Sequence, residues 1–319
     1  EMAFCDWSSD VCSSDLHTLM FEDKITRIFV DVDDFVKDLD LFSMKKQLLG
    51  DGVARRDRKT ILTLSEMMTI YIGFHVSNHT NFKSYYKDFL SVHYKHLFPN
   101  LISYERFNQS QNRLFMPLML YINNRCLGQC TGISYVDSTT LPVCHIKREK
   151  QHKVFKGIAQ KSKSTMGWFF GFKIHLIIND KGEILSFCFS RANVDDRDTK
   201  IMAIMTKEVF GKLFGDRGYI DQKLAEYLWN DGVELIYKRR KNMKSMNLSD
   251  TDKILLRKKA IIETVNDELK NICSIQHTRH RSLQGFLNNA ISALIAYQSF
   301  DKKPSIKISH ELNDRNQLL

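Results

Sequence analysis

The spacing of apolar residues changes at Gly132, and that change limits the folds open to this chain. From about Phe21 to Leu127 the spacing is helical, with Ile25, Ile28, Phe29, Val32, Phe35, Val36 and Leu39 three and four residues apart. Gly50-Asp51-Gly52 interrupts the pattern, and Arg55-Arg56-Asp57-Arg58-Lys59 is a charged connection. Ser65 reads as the cap of a helix over 66–74, with further helices expected over 81–93 and 103–121. This region suits either a small DNA-binding module or a helical scaffold.

Beyond Gly132 come short apolar runs of strand type. The spacing predicts strands over 133–139, 168–179, 183–191, 212–216 and 233–237, the second and third joined by the hairpin loop Asn179-Asp180-Lys181-Gly182. Helices are predicted over 196–210, 222–230, 249–271 and 283–300, and 147–163 reads as a basic loop. Three strands, a helix, a strand, a helix, a strand and then helices is a mixed α/β order.

Three acids stand out in this pattern. Asp137 lies in the apolar run Ile133-Ser134-Tyr135-Val136-Asp137-Ser138-Thr139, and Asp216 closes Lys212-Leu213-Phe214-Gly215-Asp216. Glu263 sits in a helical, basic stretch. At about 100° per residue, Ile261, Ile262, Val265, Leu269 and Ile272 form an apolar stripe, with Glu263 beside it on a stripe shared with Lys259, Asn266 and Lys270. Asp267 lies further round and Glu268 on the opposite flank. The simpler roles are a turn cap for Asp137, a glycine-marked turn for Asp216 and a solvated face for Glu263. Carboxylates converging from two strands and a helix instead suit hard divalent cations that handle a phosphodiester.

Charge supports a polyanionic partner. The 319 residues carry a formal +10. Residues 5–16 resemble the in-frame translation of a sequencing adapter, so 1–19 read as a non-native extension and the native chain is expected to begin near Met20. That extension holds Glu1, Asp6, Asp10 and Asp15 and no lysine or arginine, which leaves +14 on the remainder. The apolar runs are short and broken by charges, so no membrane partner is expected. Cys126, Cys130, Cys144, His145 and His152 match no standard zinc spacing, and the cysteines read as thiols of a reducing compartment.

Residues 133–281 resemble the catalytic domain of bacterial insertion-sequence transposases of the Asp-Asp-Glu (DDE) type. The motifs are Tyr135-Val136-Asp137-Ser138-Thr139, Gly171-Phe172-Lys173-Ile174-His175, Ala192-Asn193-Val194-Asp195-Asp196-Arg197, Gly215-Asp216-Arg217-Gly218-Tyr219 and the Glu263 helix. The resemblance implies a ribonuclease-H-like α/β fold, a mixed sheet flanked by helices, after an all-helical N-terminal region. The expected layout is a DNA-binding region over 20–130, a catalytic domain over 131–300 and a tail over 301–319. It implies two Mg2+ ions, with Mn2+ as a substitute, Asp137 bridging them and Asp216 and Glu263 each holding one. The partner would be double-stranded DNA, both element ends and target, cleaved at terminal inverted repeats and joined by a homodimer in the bacterial cytoplasm, at the nucleoid.

Related enzymes show Tyr, two residues, Arg, three residues, Glu, six residues, Lys. Lys270 matches the last position, while Lys259 replaces Arg and Leu256 replaces Tyr. Lysine keeps the charge without the bidentate geometry. DNA contacts are expected from Lys259 and Lys270, from Lys173 and Arg217 in the motifs, and from Lys153 and Lys156 in the basic loop. His277-Thr278-Arg279-His280-Arg281 is a second basic cluster. Trp168, Phe169 and Phe170 are read as core, with base stacking as the alternative. A nuclease of the same fold without strand transfer, and a catalytically decayed DNA-binding derivative, remain alternatives.

Overall fold

The computed structural model describes residues 13–48, 60–165, 167–238, 248–276 and 280–306. The adapter-like residues up to 12, the Gly50 break, the 55–59 connection, His277-Thr278-Arg279 and the tail beyond 306 lie outside the described residues. The chain forms two compact units, residues 1–117 and 118–319.

The first unit is helical. Helix α1 (Ser13–Leu48) starts inside the adapter-like stretch and buries Ile25, Ile28, Val32, Phe35 and Val36. Helix α2 (Leu64–Val76) is buried at Ser65 and from Met67 to His75, as a helix apolar on all sides must be. Its cap is Thr63 rather than Ser65. The Thr63 hydroxyl accepts from the Glu66 amide at 3.1 Å and the Glu66 carboxylate accepts from the Thr63 amide at 2.7 Å, a closed capping box. Ser65 faces the core instead. The helix expected over 81–93 consists of α3 (Phe82–Ser84), a wider π-turn at Tyr85–Leu90 and α4 (Ser91–His93). That over 103–121 divides into α5 (Tyr104–Ser110), capped by Ser103, and α6 (Phe115–Tyr121).

The second unit is built on six strands: β1 (Ile133–Cys144), β2 (Gln160–Ser164), β3 (Gly167–Asn179), β4 (Ile184–Arg191), β5 (Gly211–Gly215) and β6 (Val233–Tyr237). β3 pairs antiparallel with β1, β2 and β4, while β1, β5 and β6 run parallel. Leaving β2 aside, the order β4-β3-β1-β5-β6 with this mix of directions is the ribonuclease-H-like sheet. β2 is the main departure from expectation, because four residues of the basic loop, with Ser164 after them, pair with the start of β3.

Alternation along β1 divides the core. Val136 turns to one face, with Ile177, Leu213 and Tyr219, beneath α7 (Thr199–Met205) and α8 (Gln222–Asn230). Helix α7 is much shorter than the predicted 196–210, because Asp198 caps it, accepting from the amides of Lys200 and Ile201. Tyr135 turns to the other face, stacks on Phe214 and donates to Leu255 of α9 (Asp250–Arg257), while α10 (Ala260–Asn271) packs along β1 and α11 (Leu283–Gln298) against α10. The helix expected over 249–271 is therefore two helices. In an unbroken helix the Leu255 carbonyl would accept from residue 259. Here it accepts from the Lys258 amide at 3.0 Å and the Tyr135 hydroxyl at 3.2 Å, and α9 ends.

The β3–β4 turn keeps its expected form. Asn179 Oδ1 accepts from the amides of Lys181 and Glu183, and Gly182 takes φ +72°. Residues up to 306 belong with this hairpin: the Ile306 amide donates to Asp180 O at 2.8 Å and Tyr297 Oη to Gly182 O at 2.6 Å. No helix among the described residues is long and apolar enough to cross a membrane. The described cysteines, 126, 130, 144, 188 and 273, are unbridged.

Gly171 sets the distance between β3 and β1, because a Cβ there would collide with the Leu141 carbonyl oxygen. Gly171→Ala should destabilise the fold by about 2 kcal/mol, as overpacking against backbone does. Denaturant unfolding of the two proteins checks this, and equal midpoints would contradict it.

Candidate active site

β1 pairs with β5 only through Ile133, Ser134 and Tyr135, then continues alone on that side. Asp137 is thus the second residue past the last pairing with β5, level with Asp216, which emerges where β5 stops after Gly215. The Asp137 carboxylate is largely buried. Asn266 of α10, one turn beyond Glu263, donates from Nδ2 to Asp137 Oδ2 at 3.0 Å. Burial pushes the Asp137 pKa up to about 6, the Lys259 charge opposes this, and Asp196 and Asp216 add like-charge repulsion.

Lys259 joins the other two acids. Its Nζ is 3.9 Å from Asp216 Oδ1 and 3.8 Å from Glu263 Oε1, and its side chain is 14% exposed against 63% and 66% for theirs. The α9–α10 break makes this possible, since Lys259 sits at the joint, one turn before Glu263. Lys270 is also close: burial lowers its pKa, and the charge of Asp137 acts against that.

The residues of the sequence reading have different fates. Asp137, Asp216, Glu263, Lys259 and Lys270 gather at the end of β5. Arg217 is exposed on the turn after Asp216, and Lys153 and Lys156 are exposed on the loop before β2. Lys173 is different, at 16% exposure, with Nζ 2.9 Å from Asp196 Oδ1 and 3.0 Å from Val194 O. Its charge serves an internal ion pair. Ile272, expected on the buried stripe, is 41% exposed, since α10 ends at Asn271. Glu268, on the opposite flank, is partly buried.

Two participants had no role in the sequence reading. Asp196 was visible inside the Ala192–Arg197 motif, and its charge reaches both Asp137 and the buried Tyr219. Asn266 was visible on the stripe of Glu263. Only the fold shows that it reaches Asp137.

Oxygen-only donors of negative charge fit a hard divalent cation. Among the described residues, no three acids, histidines or cysteines are close enough to form a ready ligand shell. The arrangement has one carboxylate raised chiefly by its loss of hydration and two exposed ones held to a lysine, so a cation would stabilise the charge that burial disfavours at Asp137 and relieve the smaller repulsion from Asp196 and Asp216.

Native Asp137 keeps its proton to about pH 6, whereas the ordinary value is 3.8. Folding stability should therefore fall as pH rises through that window, by at most about 3 kcal/mol, and remain lower at neutral pH. In EDTA, Asp137→Asn should melt several degrees higher than the parent at pH 7 and nearly level with it at pH 3.5. Calorimetry at both values checks this, and equal melting at pH 7 would contradict it.

Residues 127–283 match the family model described as the transposase DDE domain. No curated protein matches the chain. Among solved structures, the chain is similar to a piggyBac transposase in a synaptic complex with hairpin DNA, at 13% identity and TM-score 0.43, over 94% of this chain and 78% of that one. The matched span encloses Asp137, Asp216 and Glu263, and by this match the second unit carries a domain related to the DDE transposases.

Proposed function

We propose that this chain is the transposase of a bacterial insertion sequence, which binds the terminal inverted repeats of its element, cleaves there and transfers the strands to target DNA. The observation that carries the reading is the buried Asp137 carboxylate on the central strand, within charge reach of Asp216 and Asp196 and tied to the Glu263 helix by Asn266. Asp137, Asp216 and Glu263 would hold the divalent ions, Mg2+ with Mn2+ as a substitute. When bound, the ions supply neutralisation of the phosphate charge and activation of the attacking oxygen.

The protein's own groups do the rest. Asn266 fixes one oxygen of Asp137 and so orients the carboxylate. Lys259 screens Asp216 from Glu263. Lys270, Arg217, Lys153 and Lys156 hold DNA phosphates by charge, which gives salt-sensitive affinity without reading sequence. Lys173 supports the site through Asp196 and leaves phosphate contact to the exposed cations. The helical first unit would recognise the element ends. Two copies would pair them, in the cytoplasm at the nucleoid.

Asp137→Asn should abolish Mg2+-dependent cleavage of element-end DNA while leaving affinity for that DNA unchanged in a gel-shift assay. Cleavage retained by the purified variant would refute the assignment. Parent protein given pre-cleaved ends bearing a 3′-hydroxyl should produce joined strands, and hydrolysis alone would make it a nuclease.

A further inference from the structure

The three aromatic residues at the start of β3 have separate fates. Phe169 and Phe170 are buried, whereas Trp168 is 57% exposed. Trp168 pairs across the ribbon with Lys163, and Lys161 reaches diagonally so that its Nζ stands 5.1 Å from the indole centroid. Both lysines are exposed, and the remaining side chains of β2 are Gln160, Ser162 and Ser164. Lys161 Nζ is also 3.7 Å from Glu149 Oε2.

This ribbon shares a face with the candidate site. Asp137 lies opposite Leu176, and from Trp168 to Leu176 the even-numbered residues of β3 point one way. Midway, Phe172 packs against Phe155 of the basic loop and Phe286 of α11. The loop therefore lies over this same face, with exposed Lys153 and Lys156 on either side of Phe155. From Asp137 outward, one face presents the acids, then the loop lysines, then Lys161, Lys163 and Trp168. Eight residues of strand span about 26 Å, or about eight base pairs of duplex at 3.4 Å each.

We propose that Lys161, Lys163 and Trp168 of the β2–β3 ribbon form a second DNA-contact surface, holding duplex about eight base pairs from the phosphate placed at Asp137. The inference rests on the DNA-acting reading above and adds a place on the protein to it. A two-stranded ribbon is narrow enough for the major groove. The lysines meet phosphates on its rims, and the indole packs on sugar and base edges, the pairing of cation and aromatic ring typical of nucleic-acid surfaces. A protein partner would call for a contiguous apolar patch, whereas Trp168 stands among lysines and serines.

The test uses the full chain with Trp7→Phe and Trp229→Phe, leaving Trp168 as the only indole, titrated with a 30-base-pair duplex of arbitrary sequence. Binding should quench the indole emission. Trp168→Ala in the parent chain should weaken duplex binding severalfold through loss of the indole's groove contact. Lys161→Gln with Lys163→Gln should reduce the slope of log affinity against log salt by about 2. Duplex binding with unchanged emission and undiminished affinity in the variants would overturn the ribbon and leave the Asp137 reading standing. Absence of any duplex binding would overturn both. Emission that depends on protein concentration without DNA would assign the surface to a contact between copies and overturn the proposal.

Discussion

The second unit depends on a mismatch of length between neighbouring strands. β1 has twelve residues and pairs with β3 over almost all of them, but β5 accompanies it only as far as Tyr135. Where β5 stops, a central strand has an open side deep within the sheet. Asp137 occupies that opening, Asp216 leaves β5 beside it, and α10 closes over it through Asn266. A longer β5 would bury Asp137 beneath a ladder, and a shorter β1 would leave it in solvent. Its raised pKa is the electrostatic expression of this position, enclosed enough to lose hydration yet near two further carboxylates.

Tyr135 connects this geometry to the helices. Its ring stacks on Phe214, the last β5 residue but one, and so marks the end of the parallel ladder. Its hydroxyl takes the Leu255 carbonyl and helps to end α9, which puts Lys259 at a joint rather than inside a helix. One side chain thus registers the strand carrying Asp137 with the cation that serves Asp216 and Glu263. The family pattern has arginine at this place, and lysine retains its charge. A point charge between two exposed carboxylates requires no planar fork, so the substitution is compatible with the observed distances.

Much of this was legible because the elements are locally consistent. The switch at Gly132, the Asn179–Gly182 turn and the bounds of α8 and β6 follow from residue pattern alone. The Glu263 helix was placed correctly relative to its apolar stripe, apart from Ile272 beyond its end. Tertiary contacts decided the remainder. Thr63 displaced Ser65 as a cap because Ser65 is drawn into the core. Residues 160–164 have little strand propensity and pair only because β3 offers an edge. The break at Lys258 requires a hydroxyl from a residue more than a hundred positions earlier. Lys173 looked like a phosphate ligand because its partner, Asp196, lies on a separate loop.

That last case bears on how a basic protein uses its charge. Lys173 and Lys259 are largely enclosed, and each is committed to acids of the site. Exposed cations on the same face include those of the loop before β2 and of β2 itself, and Arg217 is exposed on the turn after Asp216. Lys173 and Lys259 therefore organise carboxylates, while the exposed cations of the same face are available to a polyanion. The division is physically coherent, since a lysine desolvated beside two acids has exchanged water for them and would have to abandon that arrangement to take a phosphate. Exposed lysines release only counterions on meeting DNA.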